Sequence, residues 1–164
     1  MKKDIVKKVG ELAIATVFVL AVILFALAQY EFKSGNISLA EYNGFVMAFG
    51  EDNYEGFFVF FLPFLIAIIA ASFIILSSFK VIKLKKSIVF SIVATLALLA
   101  AIFYIVTYSH TMDRYGKGEL VDLSKNVKWL FSFWGAFALY CIALISSIYM
   151  AFISFKPHRR SKRK

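Results

Sequence analysis

Four long apolar stretches of this 164-residue chain contain no Asp, Glu, Lys, Arg or His, and they constrain its fold more than any other feature. They cover residues 12–30, 57–79, 87–109 and 129–155. The 19 basic, 10 acidic and two histidine side chains all lie outside them. A helix crosses the roughly 30 Å hydrocarbon core of a bilayer with about 20 apolar residues. The sequence therefore predicts an all-α integral membrane protein, a four-helix bundle built from two helical hairpins.

Length and composition leave room for one domain. The four stretches take up more than half of the residues, and the chain is 61% hydrophobic and 18% aromatic, unlike an average soluble domain. We expect residues 1–164 to form a single membrane domain with a basic tail at 156–164. Cys141, the only cysteine, lies in the last stretch, so it has no partner for an intrachain disulfide.

The distribution of basic residues predicts the orientation of the chain. Lys and Arg collect in cytoplasmic loops close to the ends of membrane spans. The N-terminal segment, the loop between the second and third stretches and the tail together carry 14 of the 19 basic residues. The two remaining loops carry the other five, and the first of them is also acidic. We therefore expect both termini to face the cytoplasm, in a plasma or inner membrane.

A second interpretation of the first stretch stays open. A basic start, an apolar segment over 12–25 and the tripeptide Ala26-Leu27-Ala28 resemble a secretory signal peptide with its small-residue cleavage site. Cleavage after Ala28 would leave three spans. The stretch of 19 residues is long for the apolar part of a signal peptide, which favours a membrane helix.

The first outer loop, residues 31–56, carries a helix pattern. Ser38-Leu39-Ala40-Glu41 fits a capping box, and Gly50 fits a helix stop. Between them, apolar residues recur at helical spacing: Leu39, Tyr42, Val46 and Phe49. We expect a short amphipathic helix over 38–49 on the membrane surface. An irregular loop is the alternative, because Gly44 would lie within the helix.

Aromatic residues and one proline mark the ends of the apolar stretches. Six Tyr and Trp residues near the outer boundary are typical of the membrane interface: Tyr30, Tyr54, Tyr104, Tyr108, Trp129 and Trp134. Pro63 follows several phenylalanines at the start of the second stretch. We expect it to lie in the first turn of a helix, where proline is tolerated, and a gating hinge is the alternative.

Small residues recur at helical spacing in the last two stretches. The third stretch contains Ser91, Ala94, Ala97 and Ala101, and the fourth contains Ser132, Ala136, Ala143, Ser147 and Ala151. Such residues let helix backbones approach closely where lipid supplies no hydrophobic driving force. We expect these nine positions to pack helices together, either inside the bundle or against a partner subunit.

The two halves of the chain carry a weak sign of internal duplication. The pairs Lys7-Lys8 and Lys85-Lys86 precede the first and third stretches, and Ser-Phe-Lys ends both the second and the fourth. Parallel repeats of helical hairpins are a known membrane architecture. Apolar spans flanked by lysines also match by chance, so both interpretations stay open.

The sequence contains no established catalytic or metal-binding motif. His-x-x-x-His, Cys-x-x-Cys, Gly-x-Ser-x-Gly and phosphate-binding glycine loops are absent. The polar groups of the outer loops are the only candidates: Glu51, Asp52, Glu55, His110, Asp113, Arg114, Glu119 and Asp122. A solvated acidic surface explains them better, so we expect no catalytic residue, no metal and no cofactor. Glu11 is expected to cap its helix or to pair with Lys7 or Lys8.

The charge pattern also limits the classes of function. The net charge of +9 does not require nucleic acid, because anionic inner-leaflet lipids attract a basic tail such as 156–164. Ion-coupled transporters keep ionisable groups at membrane depth, and the four stretches have none. We therefore expect a non-enzymatic accessory or structural subunit that binds other membrane protein subunits.

Two other classes of function are alternatives to this expectation. The first is an oligomeric channel or transporter for an uncharged or weakly charged solute, whose lining would use hydroxyl side chains: Ser72, Ser91, Thr95, Ser146 and Ser147. The second, an enzyme using the outer-loop carboxylates, is the least favoured of the three. An immunity-type protein that intercepts a toxin in the bilayer also fits the class of partner-binding proteins.

Overall fold

A computed structural model describes residues 2–34, 37–51, 55–116 and 127–155. In these residues the chain is mostly helical, with a small amount of strand. The helices are α1 (Lys2–Ala26), α2 (Gly44–Phe49), α3 (Phe61–Ser78), α4 (Lys86–Gly116) and α5 (Phe131–Phe155). A 3-10 turn at Phe58–Phe60 precedes α3. The strands are β1 (Ala28–Ser34), β2 (Ile37–Asn43) and β3 (Val127–Trp129).

Within the described residues, four helices are long and apolar enough to cross a membrane. They are Lys7–Ala26, Phe58–Ser78, Lys86–Met112 and Phe131–Phe155. This confirms the prediction of a mostly helical chain with four helices of membrane-spanning length, which suggests a multi-pass membrane protein. Helix α1 packs against α3 and α5, and α4 packs against the same two helices. The four long helices therefore surround a common core.

At two of the predicted span boundaries the chain is strand where a helix was expected. The first span ends at Ala26, not at residue 30, and the fourth helix begins at Phe131, not at residue 129. The residues just after the first helix and just before the fourth belong to a sheet, in which Tyr30 lies opposite Trp129. Uncharged residues continue the apolar stretches past the helix ends, so composition alone does not mark where the helices stop.

The chain is not purely α-helical, because a three-stranded antiparallel sheet covers one end of the bundle. The strand order is β2-β1-β3. Residues 37–43 pair with β1, so the predicted helix over 38–49 is wrong for its first half. Only Gly44–Phe49 is helical. Pairing with β1 satisfies the backbone groups of residues 37–43 that face β1, whereas a helix would have satisfied such groups within one segment.

Helix α2 begins and ends at residues whose side chains and backbone suit those positions. The Asn43 side chain, not that of Ser38, caps its start, since Oδ1 accepts from the amides of Phe45 at 2.9 Å and Val46 at 3.0 Å. Gly50 ends the helix, as the sequence predicted, with a φ of 86° that favours glycine. The six residues between them form one short turn of helix against the end of α1.

Gln29 joins the end of α1 to the sheet. The strand register shifts between Ala28 and Tyr30, which makes Gln29 an extra residue, a β-bulge, in β1. Its side-chain amide donates to the carbonyls of Leu24 at 2.5 Å and Leu27 at 2.9 Å. Those carbonyls lie at or just past the end of α1, where the regular hydrogen bonds of the helix stop, although the amide of Leu27 also donates to the carbonyl of Leu24 at 3.2 Å. The buried Gln29 therefore stops the helix and starts the strand.

The core of the bundle changes character along its length. Alanines with no exposed surface lie on the inward faces of the four long helices: Ala21, Ala67, Ala70, Ala97, Ala100, Ala136 and Ala143. Towards the sheet, fully buried rings replace them, including Phe60, Tyr104 and Phe133. Small side chains allow close backbone approach in a membrane, and the larger rings fill a wider space beneath the sheet.

Candidate functional site

The molecule has two polar ends, which are named here by their contents. The sheet end carries the three strands and α2. At the lysine end, α1 and α4 begin and α3 and α5 finish. The candidate sites are these two ends and one groove on the side of the bundle.

A polar cluster ties three helices together at the lysine end. Glu11 of α1 is 5% exposed, and its Oε2 accepts from Ser78 Oγ at 2.5 Å and Lys86 Nζ at 2.7 Å. Lys86 Nζ also donates to the carbonyl of Ser77 at 2.9 Å and to its hydroxyl at 3.1 Å. The expected pairing of Glu11 with Lys7 or Lys8 is therefore wrong. Glu11 faces the bundle, where α4 brings in Lys86, whereas the two N-terminal lysines are exposed.

Glu11 Oε2 and Lys86 Nζ join the four residues of this cluster. A carboxylate that is already bound by an ammonium and a hydroxyl is well suited to hold helices together, since its charge is neutralised inside the protein. Glu11 and Lys86 lie 75 residues apart in the chain, so no local sequence pattern pointed to their pairing.

The nine small residues predicted to pack helices lie mostly inside the bundle. Ala97, Ala136, Ala143 and Ser147 have no exposed surface, and Ala94, Ala101, Ser132 and Ala151 are at most 8% exposed. Ser91 is exposed. Ser132 Oγ donates to the carbonyl of Ala28, which links α5 to the start of β1. Contact of these positions with a partner subunit stays a prediction.

The hydroxyl residues considered for a channel lining do not meet at one place. Ser72, Ser91 and Thr95 are exposed on the outside of α3 and α4, whereas Ser147 is buried in α5. Thr95 Oγ1 donates to the carbonyl of Ser91, one turn earlier in the same helix. These side chains therefore do not line the space between the four helices together.

Aromatic rings occupy that space towards the sheet end. Tyr104 and Tyr140 lie with ring centroids 5.5 Å apart, and Phe60 and Phe133 each lie about 5 Å from Tyr104. All four side chains are at most 1% exposed. Tyr140 Oη donates to the carbonyl of Pro63 at 2.8 Å. Pro63 lies in the first turn of α3, as expected for a helix start.

A second group of rings fixes the sheet to the helices. Tyr30 of β1 lies between Tyr42 of β2 and Trp129 of β3, with centroid distances of 5.3 and 5.5 Å. Trp129 in turn lies 5.2 Å from Tyr108 of α4 and 4.2 Å from Phe133 of α5. Tyr30 is fully buried, so this row faces the bundle. We call the sheet together with α2 the cap.

The next row across the sheet is charged. Glu31 of β1 is paired in register with Glu41 of β2 and with Lys128 of β3. Because successive residues of a strand point to opposite faces, this row lies on the face away from the aromatic row. Glu41 and Lys128 are exposed, and Glu31 is 8% exposed.

The outer-loop groups considered for metal binding or acid–base chemistry are only partly described. Glu51 and Glu55 are exposed, and His110 stacks on Phe57 with ring centroids 3.9 Å apart. Asp52, Glu119 and Asp122, and the side chains of Asp113 and Arg114, lie outside the described part of the chain. Among the described residues, no three His, Cys, Asp or Glu side chains are grouped as a metal site requires.

A lateral apolar groove of about 750 Å³ opens between α1 and α5 in the half of the bundle nearer the lysine end. Its α1 wall consists of Lys7, Gly10, Ala13, Ile14 and Val17. Its α5 wall includes Ile142, Ser146, Met150 and Ile153. Sequence patterns did not point to this groove, because it depends on how two helices at opposite ends of the chain meet.

No protein-family model, no curated protein and no solved structure matches this chain. Its function is therefore inferred from its own residues: the cap at the sheet end, the polar cluster at the lysine end and the lateral groove.

Proposed function

We propose that this protein is a non-enzymatic, partner-binding subunit of a larger membrane assembly. The observation that carries the proposal is the cap, a folded surface held on the ends of the membrane helices. Its aromatic row packs on α4 and α5, and its register puts the charged row on the opposite face. A fixed surface loses little conformational entropy on binding, which favours recognition of a partner.

The strand order adds a second reason. Among the described strands, in the order β2-β1-β3, the seven-residue β2 lies at one edge of the sheet. An edge strand presents backbone groups with which an extended segment of another protein can pair. Exposed Glu41 beside this edge gives such pairing a charge preference. We therefore assign the partner contact to the β2 side of the cap.

The orientation that we propose has both termini in the cytoplasm and the cap on the outer side of a plasma or inner membrane. Its support is the excess of lysine and arginine in the segments at the lysine end. The contacts of α1 with α3 and of α4 with α5 agree with two helical hairpins joined by the loop at residues 79–85. The cap then meets partners outside the cell or in the periplasm.

A channel or transporter receives less support. Its hydroxyl residues point in different directions, and buried rings such as Tyr104 and Tyr140 fill the space between the helices. Flux measurements on liposomes containing the purified protein give a direct comparison. Selective flux of an uncharged solute would replace the subunit proposal with the channel.

Native mass spectrometry after mild detergent extraction tests the subunit proposal. We expect the chain to leave its native membrane in a defined heteromeric complex. The Glu41→Lys variant, which reverses one exposed charge on the cap, should lose most of the bound partner. Lys85→Glu reverses one exposed charge at the lysine end and is the matched control, which should keep it. A wild-type protein that is always extracted alone and monomeric would refute the proposal.

A further inference from the structure

We propose that the groove between α1 and α5 binds one anionic phospholipid, whose acyl chains lie along the groove and whose headgroup contacts Lys7. The groove is lined by carbon-rich side chains, and Lys7 is the charged residue in its wall. This inference concerns a lipid and does not depend on the proposed protein partner.

The length of the groove matches one leaflet of a bilayer. On α1 it extends from Lys7 to Val17, and ten residues at 1.5 Å each span about 15 Å. On α5 it extends from Ile142 to Ile153, which is roughly 16 Å. Both values are about half of the roughly 30 Å hydrocarbon core. The membrane-spanning part of α1 begins at Lys7, so the amine lies at the level of lipid headgroups.

The shape of the groove favours acyl chains over a protein helix. Small residues, Gly10 and Ala13 on α1 and Ser146 on α5, create the space. A helix is a rigid cylinder about 10–12 Å across. A Cβ atom at Gly10 would lie 3.7 Å from Met150, so the helices already touch beside it. Flexible chains can fill such a crevice and recover its dispersion contacts, whereas a helix would rest on its rim.

The charges around the groove favour an anionic headgroup. Glu11, one turn beyond Lys7, is turned towards the bundle and binds Lys86, so it does not line the groove. Lys8, the next residue along, lies with its Nζ 5.8 Å from the centroid of the Phe79 ring, and it is not part of the groove wall. Lys7 and Lys8 are therefore a matched pair of exposed lysines, one lining the groove and one outside it.

The test is a native mass spectrometry titration of the full-length protein with dioleoyl phosphatidylglycerol and with dioleoyl phosphatidylcholine. We expect the first phosphatidylglycerol molecule to bind about fivefold more tightly than phosphatidylcholine, the effect of one lysine near anionic lipid. Lys7→Gln should abolish this preference, whereas Lys8→Gln should keep it. Ala13→Leu, which fills the groove at an exposed position, should weaken binding of both lipids.

A control for Ala13→Leu is available on the same helix. Thr16 is exposed and does not line the groove, so Thr16→Leu should bind both lipids like the wild type. Equal binding by Ala13→Leu and Thr16→Leu would overturn the proposal, since the lipid would then bind elsewhere. A preference for phosphatidylglycerol that survives Lys7→Gln would remove Lys7 from the site. Displacement of a bound protein, instead of lipid, by Ala13→Leu would assign the groove to a protein helix.

Discussion

A single carboxylate oxygen of Glu11 binds two other helices at the lysine end, through Ser78 of α3 and Lys86 of α4. The two charged partners differ in exposure, since the side chain of Lys86 is 37% exposed and that of Glu11 is 6% exposed. A charge that loses its partner is costly in proportion to its burial. The energetic consequence of breaking this pair therefore depends on which of the two residues is removed.

We predict that Lys86→Ala lowers the free energy of unfolding more than Glu11→Ala does. Lys86→Ala leaves a buried carboxylate without its cation, at a cost of about 3–5 kcal/mol. Glu11→Ala leaves an ammonium that can reach water, and we expect about 1–3 kcal/mol. Thermal or denaturant unfolding in detergent measures both, with Lys85→Ala as a control at an exposed neighbour.

The double variant completes this test. If the two residues interact, Glu11→Ala combined with Lys86→Ala should cost clearly less than the two single changes added together. Strict additivity would contradict the structural role given to the pair.

At the scale of elements, the membrane helices could be predicted from the sequence and the cap could not. The charge-free stretches have one physical cause, which is the free-energy cost of placing polar groups in lipid. This cost applies to each membrane-spanning segment separately, so it leaves a local pattern in the sequence. Strand β3 has three residues, and its pairing partner lies about a hundred residues earlier in the chain, so it carries no local signal. The Glu11–Lys86 pair was missed for the same reason.

One strand of the cap did carry a local signal. Residues 29–33 alternate polar and apolar side chains, and the dipeptide Gly35-Asn36 before β2 is typical of a two-residue hairpin. The helical spacing of Tyr42, Val46 and Phe49 competed with this pattern and favoured a helix instead. Residues 35 and 36 lie outside the described part of the chain.

We predict that Gly44→Ala loosens the cap while leaving the membrane helices in place. A Cβ atom at Gly44 would lie 2.5 Å from the carbonyl oxygen of Phe25 and 2.7 Å from its ring, closer than packed atoms approach. Overpacking of this kind costs about 1–3 kcal/mol. Hydrogen–deuterium exchange should show faster exchange in β1, β2 and α2, and unchanged exchange in α3 and α4.

Gly10→Ala is the matched control for this change. A Cβ atom there meets only Met150, at an ordinary 3.7 Å, and alanine is the better helix former. Its exchange pattern should equal that of the wild type. An equal loosening by both variants would show that loss of glycine flexibility, and not the contact with Phe25, is responsible.

At the scale of the whole molecule, aromatic residues that look alike in the sequence differ in how deeply they are buried. The sequence placed Tyr30 and Tyr104 at the membrane interface, but both are fully buried and belong to the core beneath the cap. Trp134, in contrast, is 48% exposed near the sheet end of α5, in keeping with an interfacial position. The buried aromatic rings at the sheet end thus attach the cap to the four-helix bundle.

We predict that the two ends of the molecule label from opposite sides of the membrane. In a Cys141→Ser background, Glu41→Cys should react with an impermeant maleimide on intact cells. Lys83→Cys, at an exposed position of the lysine end, should react only after the membrane is permeabilised. The reverse pattern would contradict the orientation inferred from the basic residues.

The pairing of β1 with β3 has a consequence for how the protein is made. Strand β1 leaves the ribosome directly after the first membrane helix, and β3 is synthesised just before the last one. The intervening hundred residues take on the order of 5–20 s to translate. Until then β1 lacks one neighbour, and Tyr30 lacks the ring of Trp129. A nascent or truncated chain therefore cannot display the finished cap, and under the proposed function only a fully inserted molecule could recruit its partner.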